Sequence, residues 1–220
     1  MNILPIKCLK VDIFDNKKSE LKKIIPKAFE SVKEYKSELS KKQSICGKYL
    51  IVKSLNCKED DIYYNSLKKP YVKDNFYFNI SHSNEYVVFV SSKDEIGIDI
   101  EYIDNRNMDV IDYAFTRKEI DYVKNGKGIF NSFEDRFTLI WTIKECLFKA
   151  SGIEENVEPK DIETLVDGFN TSVINDNNVI ENKISFFDID YYVYSIKYFN
   201  YIISTASINK YSGLNLIHHI

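Results

Sequence analysis

The sequence predicts an α+β fold built as two similar, pseudo-duplicated subdomains, residues 1–104 and 105–220, and three observations carry that expectation. The first half reads as helical periodicity followed by a three-stranded meander over 76–102. The second half repeats the order, with helices before a meander over 183–206. The composition, 44% hydrophobic and 29% charged with 7 Gly and 4 Pro in 220 residues, is that of a packed globular chain able to bury a real core. Neither disorder nor a fibrous repeat is indicated.

Residues 3–14 alternate loosely (Ile3, Ile6, Leu9, Val11, Ile13) and predict an opening strand. Over 19–35, Leu21, Ile24, Ile25, Ala28, Phe29 and Val32 recur at helical spacing; Ser19 is the expected N-cap and Pro26 breaks or shifts the helix. A second helix over 40–55 carries Ile45, Tyr49, Leu50, Val52 and Leu55. Its lysines Lys41, Lys42 and Lys48 read either as a solvated face or as a place where an anion is met. Phe76, Phe78 and Ile80 share one strand face, so that strand should end near Ser81 in a polar turn holding His82. Strands over 86–90 and 96–102 then complete the meander.

Residues 105–107 mark the boundary. Thr116 and Glu119 have the spacing of a capping box, opening a helix that closes in the Gly126 and Gly128 loop. A G-x-G after a helix is no dinucleotide fingerprint, and no Walker A sequence exists. The strongest helix runs over 132–151 and ends at Gly152. Ile140, Ile143, Leu147 and Ala150 line one side, while Trp141, Glu145 and Lys149 step by four along another. Glu145 and Lys149 alone could be a surface ion pair.

Several classes are excluded. A formal charge of −3 argues against a general nucleic-acid binder. No run approaches 18 apolar residues and the first residues lack a signal-peptide pattern, so no membrane span is expected. The four cysteines lack C-x-x-C spacing and cannot assemble a zinc set with three histidines; reduced thiols in a cytoplasmic protein are the simple account. Ser81 and His82 do not form a nucleophilic pair, since neighbours on an extended segment point to opposite sides. His82 either caps backbone groups or binds an anion.

The centre of the chain is Glu95-Ile96-Gly97-Ile98-Asp99-Ile100-Glu101. Its isoleucines form one strand face, leaving Asp99 and Glu101 on the other, about 6.6 Å apart at a rise of about 3.3 Å per residue. Two such carboxylates can lean toward one cation; otherwise they repel.

The order of Lys69-Pro70-Tyr71, Phe78-Asn79-Ile80-Ser81-His82-Ser83, the acidic strand, Phe115-Thr116-x-x-Glu119 and Trp141-Thr142-Ile143-Lys144-Glu145-Cys146-Leu147-Phe148-Lys149-Ala150-Ser151-Gly152 resembles the surfactin-synthetase-type 4′-phosphopantetheinyl transferases. The resemblance implies two similar α+β halves in a pseudo-dimeric monomer, with the active site at their junction. It implies transfer of phosphopantetheine from coenzyme A to a serine of an apo acyl or peptidyl carrier protein, with Mg²⁺, releasing 3′,5′-ADP. Asp99, Glu101 and Glu145 would hold the metal. Lys69, Ser81, His82, Lys149 and Lys42 would meet coenzyme A. Glu145, Lys149 and Glu119 would be catalytic, with Glu145 the first candidate for proton acceptor and Glu119 the second. Gln43 stands where the family has arginine, which redirects that contact to Lys41 or Lys42. A Mg²⁺-dependent phosphohydrolase and a non-catalytic carrier-binding homologue are the competing readings.

Overall fold

A computed structural model describes residues 3–65, 69–73, 77–104, 110–152, 157–165, 169–174 and 177–219. The chain opens with β1 (Ile3–Lys10), followed by α1 (Ile13–Ile24), α2 (Pro26–Ser31) and α3 (Glu38–Leu55). Next come β2 (Ile62–Tyr64), β3 (Pro70–Val72), β4 (Tyr77–Ser83), β5 (Tyr86–Ser92) and β6 (Ile96–Tyr102). Three helices follow, α4 (Ile111–Ala114), α5 (Arg117–Asn125) and α6 (Phe133–Ser151), and then β7 (Asn170–Ile174), β8 (Asn177–Phe186), β9 (Ile189–Tyr198), β10 (Tyr201–Ser207) and β11 (Gly213–His219). The α+β class is as expected. Phe76 and the expected boundary at 105–107 lie outside the described residues.

Local chemistry explains most boundaries. α1 starts six residues before the expected cap at Ser19, because Ile13 and Phe14 are drawn into the core. Pro26 takes the first position of α2, where its missing N–H costs nothing. Ser37 caps α3 through a bond from the Ser40 N–H. The Thr116 and Glu119 capping box forms at the start of α5, Ser132 accepts the Asp135 N–H at the start of α6, and Gly152 ends α6 with a φ of 64°.

Among the described residues the strands form two large sheets, in the orders β11-β1-β5-β4 and β6-β10-β9-β8-β7, and a small two-stranded sheet of β2 and β3. β11 runs parallel to β1; all other pairs are antiparallel. The expected first meander is therefore cut short, since β6 leaves the β4–β5 hairpin and pairs with β10. The expected halves also exchange a strand each: β6 joins the second sheet and β11 the first.

Strand alternation sets the layers. Val87 and Phe89 of β5 face α1–α3, while Val88 and Val90 face the other sheet. Ile96, Ile98 and Ile100 bury one face of β6 between the sheets, each contributing about 2 kcal/mol of transfer free energy. The opposite face of β6 lies under α6. There Gly97 allows a contact no side chain would tolerate, since a Cβ would fall 2.0 Å from the Cys146 carbonyl oxygen. This close crossing brings Asp99, two residues on, beside the last turns of α6. Among the described residues, no helix is long and apolar enough to cross a membrane.

Candidate active site

The crossing of β6 and α6 assembles a cluster of charges. Lys149 Nζ donates to Asp99 Oδ1 at 2.6 Å and to Ser81 Oγ at 3.1 Å. Ser81 Oγ donates to the same Asp99 oxygen at 2.8 Å. Asp99 is only 2% exposed, and its second oxygen, Oδ2, is buried without a hydrogen-bond partner. Glu101, next on the same strand face, accepts a bond from Ser83 Oγ at 3.0 Å. Ser81 is buried and His82 exposed, the opposite orientations expected of strand neighbours, although both lie within β4 and the turn comes only after Ser83.

Electrostatics ties the carboxylates together. Burial, and then the Asp99 charge, push the Glu101 carboxyl up to about 7. The same two causes, in the same order, raise Glu145. Burial alone would lower the Lys149 pKa, but Asp99, with Glu145 and Glu101, more than offsets it and holds the ammonium above its ordinary value. Although the His82 side chain reaches solvent, desolvation by the surrounding protein and then the Lys149 charge lower its pKa below the ordinary value.

This set fits a hard divalent cation. Asp99 Oδ2 is buried without a hydrogen-bond partner, and burial and the Asp99 charge raise both Glu101 and Glu145, a penalty on the ionised carboxylates that such an ion would relieve. Among the described residues, no three His, Cys, Asp or Glu side chains are already gathered closely enough to cage a metal.

Lys69 reaches the site from the other end, its Nζ donating to the Lys149 carbonyl oxygen at 2.7 Å. A cavity of about 400 Å³ beside it is lined by Lys69, Pro70, Tyr71, Tyr77 and Phe78 among others.

Two expected site residues are not brought here. Lys42 forms an ion pair with Asp15 at 2.5 Å in a groove dominated by the carboxylates Asp12, Asp15, Glu38 and Glu85. An anion has little to gain there. Its neighbour Gln43 donates instead to the Asn84 carbonyl oxygen at 3.0 Å, steadying the turn after β4. Glu119 is fully buried in a different network, pairing with Lys144 at 2.8 Å and accepting bonds from Thr164 N and Oγ1 and from Thr116 N. Both of its oxygens are engaged, which suits a structural carboxylate and not a proton acceptor. Asn79 and Ser83 belong to the quoted motif but carry no assigned role in it, and the turn expected at Ser81 hides that Ser83 continues the strand. The period-two spacing of Asn79, Ser81 and Ser83 was the signal.

Comparison with known proteins points the same way. A family model described as the 4′-phosphopantetheinyl transferase superfamily matches residues 95–205. The chain is 34% identical over 116 residues to 4′-phosphopantetheinyl transferase gsp of Aneurinibacillus migulanus, covering 50% of this chain and 48% of that protein. It is 33% identical over 87 residues to 4′-phosphopantetheinyl transferase ffp of Bacillus subtilis, 38% of each. The matches thus span about half or less of these relatives. The family match takes in β6, α5, α6 and β10, and with them Asp99, Glu101, Glu145 and Lys149, so over half its length, and through the elements that build this cluster, the chain belongs to the 4′-phosphopantetheinyl transferase superfamily.

Proposed function

We propose that this protein transfers 4′-phosphopantetheine from coenzyme A to a serine of an apo acyl or peptidyl carrier protein, in a Mg²⁺-dependent reaction that releases 3′,5′-ADP. The observation that carries this reading is the buried, half-paired Asp99 between Lys149, Ser81, Glu101 and Glu145. Both relatives are named 4′-phosphopantetheinyl transferases, which supports it. Asp99, Glu101 and Glu145 would hold the metal. Bound there, Mg²⁺ supplies neutralisation and polarisation of pyrophosphate oxygens.

The chain's own groups supply the rest. Glu145 accepts the carrier serine proton as the serine oxygen attacks the phosphorus bearing pantetheine. The bond from that phosphorus to the bridging oxygen breaks, and 3′,5′-ADP leaves with the electron pair. Lys149 offers a point charge to the oxygens on which negative charge accumulates. His82 and Lys69 meet the 3′-phosphate end of coenzyme A, with the cavity beside Lys69 taking the nucleotide. Ser81 orients Asp99 and Lys149 toward it. Lys69→Ala is expected to raise the apparent KM for coenzyme A about tenfold, the loss of one charge-assisted hydrogen bond, while Lys42→Ala changes it less than about twofold. Steady-state kinetics with varied coenzyme A checks both.

Arg117, Lys118, Lys124 and Lys127 are exposed, and none of them is ion-paired among the described residues. This basic surface around α5 suits an acidic carrier helix. Raising ionic strength from about 50 to 300 mM should lower kcat/KM for the carrier severalfold; a flat response would exclude this surface.

The deciding experiment is intact-protein mass spectrometry of an apo carrier incubated with this protein, coenzyme A and Mg²⁺, with and without a chelator. A chelator-sensitive phosphopantetheinyl mass increase is expected. Breakdown of coenzyme A without a carrier would favour a phosphohydrolase. Carrier binding without transfer would favour a non-catalytic homologue.

A further inference from the structure

β4 and β6 are edge strands of different sheets, and among the described residues no main-chain ladder joins them. Side chains do so instead. Asn79 Oδ1 accepts the Ile98 N–H at 2.9 Å, Ser81 Oγ donates to Asp99 Oδ1 at 2.8 Å, and Ser83 Oγ donates to Glu101 Oε2 at 3.0 Å. Alternate residues of β4 thus meet Ile98, Asp99 and Glu101 of β6 in order along the strand, so the cross-link fixes the register of the acidic strand from outside its own sheet.

The third rung has a direction. Ser83 Oγ also accepts the Tyr102 N–H at 3.0 Å, which occupies one lone pair and turns the single hydroxyl proton toward Glu101. The far side of the rung is steadied as well. Gln43 Nε2 donates to the carbonyl of Asn84, the residue after Ser83, whose φ of 44° makes the turn. Ser81 is shared between Asp99 and Lys149 and belongs to the site proper, whereas the Ser83 hydroxyl, among the described residues, hydrogen-bonds to Glu101 and to the Tyr102 backbone behind it.

We propose that Ser83 is a positioning residue for Glu101, holding that carboxylate alongside Asp99 in the orientation a divalent cation requires. Without the hydroxyl, Glu101 regains its side-chain rotors, and repulsion from Asp99 turns it away. The cation then has to gather its own ligand. Second-layer hydrogen bonds of this kind are worth about 10- to 100-fold in metal affinity. This inference rests on the transferase reading for its role in turnover, but not for its effect on cation binding.

The test is a matched pair, Ser83→Thr and Ser83→Val, which have the same shape and differ only in the hydroxyl. Thermal melts establish that both are folded, and Mn²⁺ binding is measured by electron paramagnetic resonance with coenzyme A present and no carrier. The Val variant should bind Mn²⁺ at least tenfold more weakly than wild type, with Thr within about threefold of wild type. In transfer assays the apparent Mg²⁺ activation constant should rise for Val, with kcat at saturating Mg²⁺ retained within about threefold. Equal Mn²⁺ affinity of the two variants, or no Mn²⁺ binding by wild type, overturns the proposal. If wild type transfers nothing yet Val still loses cation affinity, the transferase reading fails and the positioning role stands. If only one variant folds, that variant is compared with wild type, and the same tenfold and threefold limits decide.

Discussion

Glu145→Gln is expected to lower transfer at least about 1,000-fold while leaving the fold intact, since under the proposed reaction it removes both the proton acceptor and a metal-binding charge but keeps the side-chain shape. The stability change has a sign that can be worked out. Burial and Asp99 raise the folded-state pKa of Glu145 above the ordinary 4.5, so the folded protein holds that proton more tightly than the unfolded chain. The associated stability is fully present below 4.5 and is lost as pH rises through the folded value. A neutral glutamine escapes this loss. In metal-free protein the variant should therefore melt at or above the wild-type temperature at pH 8, and the advantage should disappear at pH 4. Near-wild-type turnover in single-turnover mass spectrometry would take Glu145 out of the site.

The second large effect concerns stability. The Lys144–Glu119 pair is the most deeply buried ion pair among the described residues, with side chains 1% and 0% exposed. Lys144 also donates to the carbonyl oxygens of Pro159 and Ile162, so this one ammonium ties α6 to the segment after it and to α5. Removing one partner strands the other charge in a dry interior, which costs about 3–5 kcal/mol. Lys144→Met and Glu119→Ala should each melt about 10 °C lower, at about 2–4 °C per kcal/mol for a chain of this size. Below the melting transition, both should keep the wild-type pH profile of transfer. Loss of turnover with an unchanged melting temperature would return Glu119 to the chemistry.

Much of the site was legible because strand and helix periods are local. Period two placed Asp99 and Glu101 on one face of β6, as their separate contacts with Ser81 and Ser83 bear out. A step of four along α6 put Glu145 and Lys149 on one stripe, and Lys149 is indeed the partner of Asp99. The caps at Ser37, Thr116 and Ser132 and the stop at Gly152 follow from residues within a turn of each helix end.

Long-range partners were not legible in this way. Nothing in the spacing of Glu119 says that Thr164, 45 residues on, will take one of its oxygens, or that Lys144 will take the other. Lys42 looked free for an anion until Asp15, 27 residues earlier, came to meet it. The sequence by itself determined the α+β class, the acidic face of β6 and the charged stripe of α6, since each depends on a repeat a few residues long, whereas β2, β3, β7 and β11 were not expected from it. Tertiary structure alone decided that β6 leaves its hairpin for the second sheet, that Gly97 lets α6 close onto it, and that β4 braces it through hydroxyls. Those outcomes depend on which buried surfaces fit together at contact distance, and no local period encodes that.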